Sequence, residues 1–203
     1  MRDIADMKRS TYHNQASPAM LQSVGYIAIV AGTIEHYLED IILNITGEIV
    51  VNKQPTTDMQ PVSKRIDRLR SLSAAVSSTV IGEAIRIWCD AAMPGFECRN
   101  SILHGVAAFY GDGNFDFLTN TGYRQEIRKR QGKSFIANDH TTKLLAEAFA
   151  VLIAAITDFM LFFGGRIGEP ELIKRLSVTD IRKAFSTTNE LANLIDAYNN
   201  EKY

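Results

Sequence analysis

The chain has 203 residues, enough for one domain with a sizeable hydrophobic core. Its hydrophobic content of 46% and charged content of 22% are those of an ordinary soluble globular protein. A net charge of −1 excludes a globally basic nucleic-acid-binding protein, so any contact with nucleic acid must use a local basic patch. The two cysteines, Cys89 and Cys98, are too few for a disulfide scaffold, and we expect reduced thiols in or near the core.

Targeting and membrane signals are weak in this sequence. Residues 1 to 16 are polar and mixed in charge where a secretion signal needs an apolar run, so we expect a cytoplasmic protein. The most apolar segment, residues 144 to 163, contains Glu147 and Asp158. A membrane-spanning helix needs about 20 apolar residues with few charges, whereas a bundle helix tolerates carboxylates at its rim. We therefore expect a core helix and no membrane partner.

The first two predicted helices precede residue 80. Ser17 is a typical N-cap and Pro18 a typical first helical residue. Apolar residues then recur every three or four positions as far as Ile45, with Gly47 as the stop. A second, more basic helix starts near Pro61, after a polar loop.

The third and fourth predicted helices differ in continuity. The third begins near Ile81 and is interrupted at Pro94 and Gly95, because a proline inside a helix removes a hydrogen bond and bends or breaks it. It resumes over roughly residues 95 to 110. The fourth helix spans residues 139 to 165, with Asp139 as its cap and a glycine pair as its end.

A β insertion and a tail complete the predicted fold. Residues near 114–138 alternate polar with aromatic or β-branched types, which predicts a small β-hairpin insertion of two or three short strands between helices 3 and 4. After Pro170, two shorter amphipathic helices are predicted. The expected fold is all-α: an up-down four-helix bundle over residues 1–169, carrying the insertion, and a C-terminal helical extension over residues 170–203.

The stretch CRNSILHG, residues 98 to 105, holds the main candidate residues for chemistry. Arg99 and Asn100 are followed by His104, and Gly105 allows another backbone or a phosphate to come close. Residues four apart are neighbours on a helix, so Asn100 and His104 share a face, while Arg99 lies about 140° round the axis from His104. One helix therefore does not aim the arginine and the histidine at one small target.

The order Arg99, Asn100, three residues, His104 resembles the R-N-x-x-x-H signature of the HEPN superfamily, helical-bundle proteins of which many cleave RNA. The resemblance covers the arrangement of roughly residues 17 to 165 and places the motif near the start of a core helix. It implies a homodimer whose two-fold cleft is lined by the motif of both chains. It also implies a toxin or antiviral effector, with an inhibitory antitoxin or other regulatory protein as a further partner.

Cleavage of RNA without a metal needs a base for the 2′-hydroxyl, an acid for the leaving 5′-oxygen and a cation beside phosphorus. Histidine supplies the proton transfers, arginine stabilises the developing charge, and asparagine orients its neighbours by hydrogen bonding. The resemblance, read with this chemistry, implies a metal-independent endoribonuclease without cofactor, with Arg99, Asn100 and His104 as catalytic residues and a 2′,3′-cyclic phosphate product.

Two alternatives to the nuclease stay open. The first is a non-catalytic helical module that binds RNA, a nucleotide or a partner protein. The second is a structural bundle in which Arg99 pairs with a bundle carboxylate, Asn100 faces solvent and His104 is a satisfied interface histidine.

Polar groups outside the motif add secondary candidates. A basic run after residue 123 either grips the RNA backbone or is a solvated strand edge that discourages aggregation. Glu35 and His36 on the first helix are either polar partners that lie near His104 or part of a solvated face. No set of metal-ligating residues on another helix matches them, so the sequence does not predict a metal site. The residues of the basic run proposed to bind RNA are Arg124, Arg128, Lys129 and Arg130.

Overall fold

Apolar residues at helical spacing build most of this molecule. The computed structural model describes residues 16–48, 60–109, 113–119, 123–124, 127–128 and 134–201. Its helices are α1 (Pro18–Thr46), α2 (Val62–Leu72), α3 (Thr79–His104), α4 (Asp139–Phe163), α5 (Glu169–Arg175) and α6 (Val178–Glu201), with a 3₁₀ turn at Ser73–Ala75. The predicted all-α class is confirmed at the level of a mainly helical protein. The HEPN type of bundle stays a prediction.

Short strands occupy the chain between α3 and α4. In the described part these strands are β1 (Gly105–Phe109), β2 (Phe115–Thr119), β3 (Tyr123–Arg124), β4 (Ile127–Arg128) and β5 (Ser134–Ala137). β1, β2 and β5 form an antiparallel sheet with β2 in the centre, and β3 pairs with β4 as a separate hairpin. The predicted insertion lies at its expected place. It is larger than the predicted hairpin, because the chain forms the strand β1 directly after α3 and three strands pair in one sheet.

The caps of α1 and α4 tie the starts of these two helices together. Ser17 caps α1 as predicted, and its hydroxyl donates to the Asp139 carboxylate at 2.6 Å. Gly47 ends α1 at a φ of 69°, the left-handed conformation that favours glycine. Asp139 is not the cap of α4. Asn138 is, in a reciprocal capping box with Thr141.

The direction of α1 and α4 departs from the predicted bundle. Their N-termini touch at Ser17 and Asp139, and the two helices pack extensively along each other, so they run in the same direction. An up-down order makes the first and fourth helices antiparallel. That order is therefore wrong for this pair, since α1 pairs with α4 in parallel while α3 packs mainly on α6.

The core lies between these helices and the sheet. α2 bridges α1 and α3, and α6 contacts α3, α4 and β5. The indole N–H of Trp88 donates to the Leu152 carbonyl at 3.0 Å, so the only tryptophan is buried with its polar atom satisfied. Other large, fully buried side chains are Phe96, Phe135, Phe149 and Phe159.

Within the described residues, α4 is the one helix long and apolar enough to cross a membrane by length and composition. It nevertheless buries one face against α1 and α6, including Leu145, Phe149 and Ile156. The core helix of a soluble protein has the same length and composition. This face of α4 therefore belongs to the core, and 39% of the helix's most apolar 18-residue window is buried.

The turn at Pro94 does not interrupt α3, contrary to the prediction. Proline removes the helical hydrogen bond to the carbonyl of Asp90, and α6 packs on the same turn, where the Thr188 hydroxyl donates to the Ala91 carbonyl at 3.0 Å. Gly95 leaves room for this approach, because a Cβ there would lie 3.3 Å from the Thr188 methyl carbon. The predicted break is wrong because α6 packs on the turn that the proline weakens.

The end of α3 also differs from the prediction. The helix stops at His104, and residues 105 to 109 form a strand paired with β2 instead of continuing the predicted helix to residue 110. Pairing supplies the backbone hydrogen bonds that a helix would have made. The motif therefore lies in the last turns of its helix, not near the start that the resemblance implies.

The predicted C-terminal extension contributes to the same core as the bundle. Along α6, buried positions recur every three or four residues and face α3 and α4. A single hydrophobic core thus includes residues from both predicted ranges. The buried residues of α6 are Ile181, Ala184, Thr188, Leu191 and Ile195.

The bond between Thr188 and Ala91 generates a stability prediction. In Thr188→Val the shape of the side chain is kept but the Ala91 carbonyl loses the hydrogen bond from α6, so we expect the unfolding free energy to fall by about 0.5 to 1.5 kcal/mol, the net contribution of one hydrogen bond. Thr187→Val, at a half-exposed neighbour, is the matched control and should change it by less than about 0.5 kcal/mol. Urea denaturation followed by circular dichroism measures both, and equal effects would mean that the bond from Thr188 to Ala91 does not stabilise the fold.

Candidate functional site

The three motif residues occupy the last two turns of α3 and differ in burial. Arg99 and Asn100 are half-buried, and the Arg99 side chain is 16% exposed. His104, the last residue of the helix, is exposed. A polynucleotide can therefore reach the imidazole in a single copy of the chain, and a histidine sealed in the interior is excluded.

Arg99 is fixed by contacts on two sides. Its Nη1 donates to Asn100 Oδ1 at 2.8 Å, and its Nη2 lies 3.5 Å from Glu35 Oε1 on α1. Its Nε is buried without a hydrogen-bond partner. Because Asn100 uses its oxygen as the acceptor, its amide N–H groups stay available as donors.

Glu35 belongs to a row of alternating charges that joins three helices. Its Oε2 lies 3.7 Å from Arg65 Nη2 of α2, and Arg65 Nη1 lies 3.7 Å from Glu39 Oε2. Arg65 also donates to the backbone carbonyl of Glu35 at 3.2 Å. We call Arg99, Glu35, Arg65 and Glu39 the ion-pair row. Two positive and two negative side chains make its formal charge zero.

The ion-pair row limits what Arg99 can do for a ligand. Its four side chains are between 15% and 28% exposed, so water screens their attraction only in part. A phosphate that approaches Arg99 must compete with Glu35 for the guanidinium. The pairing of Arg99 with a bundle carboxylate is also the contact that the structural alternative expects.

Glu35 and His36, the two residues predicted as partners of His104, lie in different environments. Glu35 reaches the motif through Arg99, whereas the sequence predicts a role beside His104. His36 is 70% exposed, and its Nε2 lies 3.6 Å from Asp40 one turn further along α1. His36 thus contributes to the solvent face of α1, in line with the second interpretation of this pair.

Arg99 and His104 diverge on their helix. They are separated by about 7.5 Å along the axis and about 140° around it, by ideal helix geometry. Arg99 faces α1, while His104 lies at the exposed helix end. A single copy therefore does not bring the guanidinium and the imidazole to a common point. This agrees with the helix geometry expected from the sequence.

Gly105 has a structural reason to be glycine. A Cβ at this position would lie 2.3 Å from the Ser101 carbonyl oxygen and 3.0 Å from Cβ of Phe117 on β2. Its φ is −81°, so the requirement is space and not an unusual backbone angle. The sequence predicts that either another backbone or a phosphate comes close to Gly105. The structure shows the close approach of another backbone.

The basic run is described only in part. Arg124 and Arg128 lie in the β3–β4 hairpin, where Arg124 pairs with Ile127 and Arg128 with Tyr123. Lys129 and Arg130 lie outside the described residues. Both interpretations of the run, an RNA grip and a solvated edge, stay predictions.

Metal ligands and reactive thiols are also relevant to a catalytic site. The described ranges contain no group of three or more His, Cys, Asp or Glu residues placed to hold a metal ion. Cys89 and Cys98 are free and buried in the core as expected, and burial raises the pKa of both thiols to about 12. Such thiols stay protonated near neutral pH and are poor nucleophiles.

Arg65 and Glu39 complete the row but are not among the predicted site residues. The sequence shows Glu35 and Glu39 one turn apart and a basic second helix, which are the two halves of the row. Their pairing depends on how α1, α2 and α3 pack, so spacing within one helix cannot reveal it.

Comparisons with known proteins add no relative to this picture. No family description, no curated protein and no solved structure matches the chain. The resemblance to HEPN proteins therefore depends on Arg99, Asn100 and His104 alone.

The ion-pair row predicts a specific sensitivity at Glu35. Glu35→Gln removes the carboxylate shared by two half-buried arginines, so we expect the unfolding free energy to fall by about 1 to 3 kcal/mol. Asp40→Asn, on the same helix but with a largely exposed partner, should change it by less than about 1 kcal/mol. Urea denaturation at low and high salt measures both. Equal losses in the two variants would mean that the row does not stabilise the fold.

Gly105 gives a second test of the site's scaffold. In Gly105→Ala the new methyl group meets the carbonyl of Ser101 and the backbone of Phe117, so the junction of α3 and β1 must shift. We expect a loss of about 2 to 4 kcal/mol, as for overpacked or strained core positions. Gly168→Ala, whose Cβ would make only an ordinary contact with Pro170, is the control and should lose less than about 1 kcal/mol. Thermal and urea unfolding would detect the difference, and a neutral Gly105→Ala would contradict the close approach.

Proposed function

We propose that this chain is a metal-independent endoribonuclease of the HEPN type, cytoplasmic and active as a homodimer. The observation that carries the proposal is the exposed imidazole of His104 at the end of α3, on the helix whose preceding turns hold the hydrogen-bonded pair Arg99 and Asn100. RNA is the expected substrate, because its 2′-hydroxyl provides the internal nucleophile that this residue set can activate.

Proton transfer in the proposed reaction uses two histidines. The His104 imidazole of one copy takes the 2′-hydroxyl proton, and the 2′-oxygen forms a bond to phosphorus. As the bond from phosphorus to the 5′-oxygen breaks, the protonated His104 of a second copy gives its proton to that oxygen. The products are a 2′,3′-cyclic phosphate and a 5′-hydroxyl, and no metal is required.

Arg99 and Asn100 act on the phosphate in this proposal. The transition state carries more negative charge on its phosphorus oxygens than the diester does, so it competes better than the substrate for the guanidinium that Glu35 contacts. The free amide N–H groups of Asn100 can donate to the same oxygens. Glu35 must be displaced in both cases, so the preference for the transition state comes from its greater negative charge.

The biological setting follows from the resemblance. A toxin or antiviral effector that cleaves RNA must be restrained in its own cell, so an inhibitory antitoxin or other regulatory protein is the expected partner. The basic residues Arg124, Arg128, Lys129 and Arg130 are proposed to hold the RNA backbone.

One observation favours a second candidate, a non-catalytic module that binds RNA, a nucleotide or a protein. The ion-pair row already uses the charge of Arg99 to join α3 to α1, which is a sufficient structural reason for this arginine. In that case His104 would be a surface residue without a chemical task.

Cleavage of a labelled RNA in EDTA distinguishes the candidates. We expect wild-type protein to leave cyclic phosphate ends, and His104→Ala to lower the rate by a factor of about 100 to 10,000. Arg99→Ala should also lose activity, and unfolding curves separate that effect from instability. His140→Ala is the matched control, because His140 is another exposed histidine and lies at the start of α4.

Three outcomes would overturn the proposal. Cleavage that persists unchanged in folded His104→Ala protein would show that this imidazole does not catalyse it. RNA binding without cleavage by wild-type protein would select the binding module, and neither binding nor cleavage would select a structural bundle.

A further inference from the structure

The carboxylate of Glu35 lies between two arginines that come from different helices. Its Oε1 is 3.5 Å from Arg99 Nη2 of α3, and its Oε2 is 3.7 Å from Arg65 Nη2 of α2. Both separations exceed the roughly 2.7 to 2.9 Å of a close charge-assisted hydrogen bond, so neither arginine binds the carboxylate tightly. A small rotation of the Glu35 side chain therefore moves the carboxylate towards one arginine and away from the other.

Each of these arginines has an anchor that does not involve the carboxylate. Arg65 Nη1 donates to the backbone carbonyl of Glu35 at 3.2 Å, and Arg65 Nε donates to the backbone carbonyl of Gln60 at 3.2 Å. Arg99 Nη1 donates to Asn100 Oδ1 at 2.8 Å. These neutral acceptors keep both guanidinium groups in place when the carboxylate moves. The Glu35 side chain is thus the member of this contact that can change partner at little cost.

We propose that Arg65 is a positioning residue that makes Arg99 available to a phosphate by receiving the Glu35 carboxylate. This inference rests on the proposed binding of RNA at Arg99, but it requires only binding and not cleavage. When a phosphate oxygen approaches Arg99, the carboxylate turns to Arg65, which it already contacts through Oε2. Arg99 gains the phosphate as its counterion, and Glu35 keeps a guanidinium as its own.

The charge of the ion-pair row explains why a second arginine is needed. With Arg65 present, an approaching phosphate meets a row whose formal charge is zero. Without Arg65, one positive and two negative side chains leave a formal charge of −1. A phosphate that then takes Arg99 leaves Glu35 without a cation of the row, and a partly buried charge that loses its counterion is destabilising. Arg65 therefore lowers the free energy that phosphate binding requires.

Arg65 can serve two carboxylates because it meets them with different nitrogen atoms. Its Nη2 faces Glu35 and its Nη1 faces Glu39, each at 3.7 Å. The forked guanidinium of arginine suits such a double contact, whereas the ammonium group of lysine is a single point of charge. The Arg65 side chain is only 15% exposed, so water replaces it poorly as a partner of the carboxylates.

Arg68 is the matched control for Arg65. It lies on the same helix, its side chain is 25% exposed, and it pairs with Glu48, which is outside the ion-pair row. Neutralising either arginine removes one positive charge from α2, so the long-range attraction of RNA to the protein falls by a similar amount. Only the loss of Arg65 deprives Glu35 of its alternative partner.

Fluorescence anisotropy with a labelled, 2′-O-methylated single-stranded RNA tests this inference. The probe keeps its phosphates but lacks the nucleophilic 2′-hydroxyl, so the protein can bind it without cutting it. We expect Arg65→Gln to weaken binding about tenfold and Arg68→Gln to weaken it less than about twofold, in line with a partly buried and a more exposed ion pair. Arg65→Lys should retain most of the affinity, because it keeps the positive charge.

A double variant separates positioning from a loss of structure. When Arg65→Gln is combined with Glu35→Gln, no carboxylate competes for Arg99 at this position, so affinity should return at least to the wild-type value. When Arg65→Gln is combined with Asp40→Asn, the net charge is restored but Glu35 remains, so binding should stay as weak as in Arg65→Gln. A damaged fold would not be repaired by a second substitution in the same row. Circular dichroism and unfolding curves identify the variants that are folded.

The single variant Glu35→Gln tests the same exchange if Arg65→Gln does not fold. Because the competing carboxylate is absent, Glu35→Gln should bind the probe at least about threefold more tightly than the wild type. Folded Glu35→Gln protein that binds no better than the wild type would overturn the inference.

Other outcomes separate this inference from the nuclease. Equal affinities of Arg65→Gln and Arg68→Gln would overturn the role of Arg65, and so would a double variant with Glu35→Gln that stays as weak as Arg65→Gln. If the wild type still cleaves unmodified RNA, the nuclease survives either result. The expected pattern of affinities without cleavage supports Arg65 and removes the nuclease. A wild type that does not bind the probe overturns the inference, and failure to cleave unmodified RNA as well would overturn both.

Discussion

The contact between Arg99 and Glu35 is the interaction on which the fold and the candidate site both depend. It joins α3 to α1, and through Arg65 it also joins α2, so three helices meet at one row of alternating charges. Half-buried charges of this kind stabilise a fold only while each keeps its counterion. The same contact holds the guanidinium in place beside Asn100. A phosphate that binds Arg99 must therefore compete with Glu35, the residue that holds Arg99 against α1.

The end of α3 sets what the rest of the motif can do. Gly105 lets the helix turn directly into β1 while β2 crosses beside it, because no side chain fills the space next to Ser101. That abrupt end leaves His104 exposed and Arg99 against α1. One residue pattern thus produces two different environments, a fixed cation and an open imidazole. A reaction that uses both Arg99 and His104 requires one phosphate to contact the surface at each residue.

Local signals allowed part of this fold to be predicted from the sequence, and contacts between distant segments determine the rest. Ser17 and Gly47 begin and end α1 as expected, because caps act through their own backbone neighbours. The break expected at Pro94 is absent for the opposite reason: α6 packs on this turn, and its Thr188, which bonds to Ala91, is 97 residues away along the chain. In the site, Arg99 faces α1 and His104 is exposed at the helix end, in agreement with the divergence expected from their spacing. The role of Glu35 beside Arg99, and of Arg65 behind it, required the packing of three helices.

The divergence of Arg99 and His104 sets a requirement on any reaction that uses both residues. A reaction that needs two proton carriers and a cation is incomplete in one copy, where the exposed motif histidine lies away from a paired arginine. A second copy supplies the missing histidine only if the exposed ends of the two α3 helices approach the same phosphate. The proposed mechanism therefore requires an interface close to His104, because two copies that associate through a surface remote from the end of α3 would leave each site with one histidine.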